Sequence, residues 1–135
     1  MKAKFPVIGP LIAAGVLLAA ASPLAAHHSF AAEYDAAATV TLKGVVSKVE
    51  WTNPHARFYV DVKDDSGKVI TWNFELASPN VLIRGGWTRK SLQVGDVVTV
   101  TGSQAKDGAY LANAASVVLA DGKKVFARST ADAGQ

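Results

Sequence analysis

The sequence predicts a small all-β domain carrying a single short helix. Three features lead there: runs of strand length in which apolar and polar residues alternate, one helix-length segment with both ends signposted, and an apolar N-terminal run that stands apart from them.

"MKAKFPVIGPLIAAGVLLAAASPLAA" has Lys2 and Lys4 in front, an apolar body and small residues at its end, the three-part pattern of a cleaved secretory signal. Pro6, Gly9 and Pro10 interrupt the run, and Leu11 to Ala21 is shorter than the ~20 residues of a membrane-spanning helix, so no lasting membrane insertion is expected. Cleavage after Ala26 fits the small-residue rule better than cleavage after Ala25. It makes His27 the first residue of a periplasmic chain and removes two lysines, lowering the formal charge from +3 to +1.

That balance gives no basic stripe for nucleic acid. With no cysteine, neither a disulfide nor a thiolate metal ligand is available.

Residues 27 to 38 are Ala-rich and without clear period, a lead-in. In "TVTLKGVVSKVEW" Val40 and Leu42 share one side, Gly44 marks a phase shift suggesting a bulge or sharp bend, and Val45, Ser47, Val49 and Trp51 resume the alternation. "TNPH" ends this first strand, because Pro54 cannot donate to a ladder. "RFYVDVK" places Phe58, Val60 and Val62 opposite Arg57, Tyr59, Asp61 and Lys63. "DDSGK" is a turn, and "VITWNFELA" aligns Ile70, Trp72, Phe74 and Leu76.

"SPNVLIRGG" reads as the single helix, with Ser78 as N-cap, Pro79 at the first helical position and Gly85 or Gly86 as the stop. A fourth strand runs from Val97 to Gly102. A turn at Asp107 and Gly108 leads to a fifth, "DGKKVFAR" adds an edge piece, and 129 to 135 is a flexible tail. Five strands, a bent first strand and a helix between the third and fourth match an OB-fold-like β-barrel over residues 39 to 128.

Three histidines remain after cleavage: His27, His28 and His55. Imidazole suits copper first and zinc next. A free amine and ring nitrogen at His27 form a chelate, and His55 would add a third nitrogen, a T-shaped set chemically similar to a histidine brace. The 12 residues from His27 to Ala38 reach up to ~40 Å. The plain alternative is a solvated tail and a histidine in an Asn-Pro turn.

Asn53, Tyr59 and Trp87 are the candidate rim contacts for a ligand or partner, whereas Phe58, Trp72 and Phe74 fit the core. Glu50, Asp61 and Glu75 alternate with apolar neighbours and are assigned to wet outer faces. No nucleophile triad, phosphate loop or zincin motif is present, so no enzyme activity is inferred.

His27-His28-Ser29-Phe30 and Trp51-x-Asn53-Pro54-His55 together resemble an uncharacterised family of small exported bacterial proteins, a domain of unknown function. The similarity runs from about His27 to Phe126. It implies export and fold, and carries no activity with it. The expected function is therefore periplasmic binding, of a transition metal through the histidines. The alternative is a metal-free module taking a protein, peptide or glycan at its rim.

Overall fold

The computed structural model describes residues 30–125. Its elements are α1 (Phe30–Glu33), β1 (Tyr34–Glu50), β2 (Arg57–Lys63), β3 (Val69–Glu75), α2 (Pro79–Arg84), β4 (Val97–Ala105), β5 (Leu111–Leu119) and β6 (Lys124–Val125). They form a mostly antiparallel six-stranded sheet in the order β3-β2-β1-β4-β5-β6, and β3 also pairs in parallel with β5. The signal segment, His27, His28 and the 129–135 tail lie outside the described residues.

Two expectations are corrected. The described residues contain two helices, because Phe30–Glu33 forms one turn, and β1 begins at Tyr34. Alternation could not reveal that start: between Tyr34, which pairs with Ala105, and Thr39, which pairs with Ser103, the ladder to β4 is interrupted. Asp35 Oδ1 accepts the Ala37 N–H within that gap. Secondly, the edge piece expected in "DGKKVFAR" is present as a strand of its own, paired through Val117↔Val125 and Val118↔Lys124, so the sheet has six strands rather than five.

Length lets β1 serve two partners. Its first part pairs with β4 as far as Val45↔Val97, and from Val45↔Asp61 onward it pairs with β2. The bulge against β2 falls between Val46 and Lys48, three residues beyond Gly44.

The inward residues of β2 and β3 meet as expected. The Phe58 and Phe74 rings stack at 5.2 Å between centroids, with Trp72 6.2 Å from Phe74, and all three are buried. Val46, Val60, Val98, Val100 and Val117 complete the core, which Leu82 of α2 closes from one end.

Ser78 is extended (φ −62°, ψ 152°), and its hydroxyl accepts the Val81 N–H at 3.4 Å, which satisfies one orphan donor of α2. Gly85 and Gly86 then return their N–H groups to Val81 O and Ile83 O. At this long cap distance, Ser78→Ala should lower stability by about 0.5–1 kcal/mol, measured by urea unfolding with an unchanged m-value.

No helix among the described residues is long and apolar enough to cross a membrane.

Candidate functional site

The β1–β2 loop carries two of the sequence-selected residues, Asn53 and His55. Its Asn53–Pro54 peptide is cis. After it the chain rejoins the sheet before β2 begins: Ala56 N–H donates to Ala77 O and Ala56 O accepts from Leu76 N–H, with Ala56 wholly buried. Alternation past this inward Ala56 puts His55 on the side of the chain that Arg57 occupies, the outer face. His55 Nδ1 is buried and has no hydrogen-bond partner among the described residues.

That outer face is not wet throughout. Glu75 lies opposite Arg57 and is only 5 % exposed, which corrects its assignment to a solvated face. Its carboxylate accepts from Arg57 Nη2 and, at 3.4 Å, from Asn113 Nδ2 of β5. Arg57 also reaches Asn73 Oδ1 at 3.4 Å.

Tyr34, 2 % exposed, is packed over this group. Among the described residues no hydrogen bond of normal geometry reaches its hydroxyl, and Glu75 acts on it mainly through its charge. Burial first, then the charges of Glu75 and Glu33, raise the phenol well above its usual pKa, while Arg57 pulls the other way.

The same segment is tied down on its other side. Lys106 N–H donates to Glu33 O, Lys106 Nζ donates to Ala31 O at 2.6 Å, and the Phe30 ring lies 5.5 Å from that of Tyr34. The end of the lead-in is thus docked on the sheet beside Arg57 and Glu75 and held by Lys106.

A raised phenol pKa gives a signed prediction. Because the folded state holds Tyr34 protonated, its contribution is complete below the unfolded phenol pKa of about 10 and is lost as pH rises beyond it. Tyr34→Phe should therefore show a flatter decline in stability above about pH 10 than the parent. Parallel alkaline melts of the two proteins measure the difference, and identical slopes would contradict it.

The loop also lines an open cleft of about 500 Å³. Trp51 and Asn53 of the loop, Asn80 and Ile83 of α2, and Trp87 and Arg89 after it line this cleft. Trp87 is 4 % exposed, so it offers little open surface, while Ile83 is 55 % exposed.

Of the three rim candidates, the structure brings Asn53 and Trp87 together. Tyr59 stands elsewhere, donating to Glu50 Oε2 at 3.1 Å beneath Lys48, whose Nζ is 5.1 Å from the ring centroid. Trp51 and Arg89 belong to the cleft yet escaped selection, since only folding brings residues 51 and 89 together. Trp51 does carry a signal: it opens the Trp-x-Asn-Pro-His motif.

Among the described residues no three His, Asp or Glu side chains are grouped to hold a metal. A site at His55 would need donors from His27 and His28, outside those residues.

These features define a small antiparallel β domain with a docked N-terminal segment and a loop-and-helix cleft. The chain belongs to the DUF6152 family, described as a family of unknown function, whose model matches residues 14–113. No curated protein and no solved structure matches it.

Proposed function

We propose that the chain is an exported periplasmic binding protein on an OB-fold-like frame, and that it takes a transition metal, copper first and zinc second, between His55 and the histidines of the cleaved terminus, His27 and His28. Two observations support this reading: His55 Nδ1 is buried and lacks a partner among the described residues, and Tyr34 is held beside Arg57, two residues along the chain from His55.

From Phe30 back to His27 is three residues, a reach of up to ~10 Å. Tyr34 lies in the field of Arg57, and Arg57 is two residues from His55. A β frame with β1 shared between β2 and β4, a helix after β3 and a parallel β3–β5 pairing supports the OB-fold-like assignment. Cleavage after Ala26 would turn the ordinary amide of His27 into an amine in chelating reach of its own imidazole.

Mass spectrometry of the exported protein should find His27 first. Copper titration of that chain should then show affinity at least about tenfold tighter than a peptide of residues 27–38, with His55→Ala removing that advantage. A mature chain beginning elsewhere, or His55→Ala without effect, overturns the reading.

The metal-free alternative draws on the convergence of Asn53 and Trp87 on one cleft. There the loop and α2 would hold a protein, peptide or glycan without any metal.

A further inference from the structure

The cleft beside α2 has a chemistry of its own, separate from the histidines. We propose that it binds a uronate-bearing glycan, a chain of sugar rings carrying carboxylates. The assignment gives the metal-free rim reading a ligand class and rests on that reading rather than on the metal site.

Charge provides the first argument. Among the described residues no acidic side chain lines the cleft, Arg89 reaches it, and neither ion pair involves Arg89. Exposed Arg84 ends α2 and exposed Lys90 follows Arg89, so the surroundings are cationic as well. A planar guanidinium with free donors matches a carboxylate in two-pronged geometry.

Shape and polarity narrow the ligand further. Half-buried Trp51, with the little of Trp87 that remains open, gives the lining an aromatic, apolar part suited to the C–H side of a sugar. Asn53 and Asn80 each present a carbonyl and an amide, a match for hydroxyls that both accept and donate. The volume lies within the range of about 300–1,000 Å³ typical of small-ligand sites.

An acidic peptide would satisfy Arg89 but fits the walls less well. Strand addition needs an open backbone edge. The cleft is instead lined by residues of the β1–β2 loop, α2 and the segment after α2, with no strand residue among them.

The test uses the ¹⁵N-labelled mature protein with a chelator present, so that the metal reading neither helps nor harms it. The probe is an α-1,4-linked galacturonate trimer, compared with the neutral galactose trimer of the same linkage and with a short polyglutamate peptide. Indole N–H signals of Trp51 and Trp87 should shift and saturate, while that of Trp72, in the core, stays still.

The neutral trimer should bind at least about tenfold more weakly. Arg89→Gln, at an exposed position, should erase that preference. Equal binding of acidic and neutral trimers overturns the uronate assignment and leaves the rim reading standing. Equal shifts from polyglutamate overturn it in favour of a peptide. No saturable shift with any of the three overturns both.

Discussion

Gly44→Ala should lower the stability of the folded domain by about 3 kcal/mol or more, although it adds one methyl group to a residue that is not tightly turned. A Cβ built on Gly44 falls inside contact distance of the Asp61 carbonyl oxygen and 2.7 Å from Val60 Cγ1. Backbone cannot step aside as a flexible side chain does. Here β1 passes from its β4 pairing to its β2 pairing, so any retreat is felt in both ladders.

For a domain of this size that loss corresponds to a fall in Tm on the order of 15 °C. Gly67→Ala is the matched control. Gly67 sits at φ +83° with nothing within 4 Å of its would-be Cβ, so only the left-handed conformation is penalised, by about 1 kcal/mol. If thermal melts rank the two variants the other way round, close approach is not the reason for Gly44.

Gly44 also shows how far the sequence could be read. Its phase shift announced a local irregularity, and the structure contains one, but the bulge itself falls between Val46 and Lys48. Local signals were sufficient where the cause is local: Ser78, Pro79 and Gly85 delimit α2, and alternation put Phe58, Trp72 and Phe74 inside. They were insufficient wherever burial comes from distant chain. Glu75 alternates as an outward residue and is one, yet Tyr34 and Arg57 cover it. For the same reason Asn53 and Trp87 were legible as rim residues one at a time, whereas their pairing with Trp51 and Arg89 in one cleft was not.

The covered carboxylate gives the second large effect. Glu75→Leu should cost about 2–4 kcal/mol, because it leaves the Arg57 guanidinium, 29 % exposed, without its carboxylate and deprives Asn113 Nδ2 of an acceptor. Partial exposure of Arg57 keeps the figure below that of a fully buried pair.

If the loss comes from the orphaned cation, Arg57→Met in the same chain should restore part of it, so the double variant would be more stable than the two single losses added together. Strict additivity in urea unfolding would instead mean that Glu75 contributes by filling space. The same variants bear on function. Glu75 and Arg57 lie beside Tyr34, and Tyr34, together with the Lys106 bonds to Glu33 and Ala31, anchors the segment that leads back to His28 and His27. Under the metal reading, Glu75→Leu should therefore weaken copper binding although His55 is untouched, and it should speed proteolysis within residues 27–38 in parallel. Faster proteolysis with unchanged copper affinity would separate docking of the lead-in from metal binding, and would leave His55 without the partners that the reading gives it.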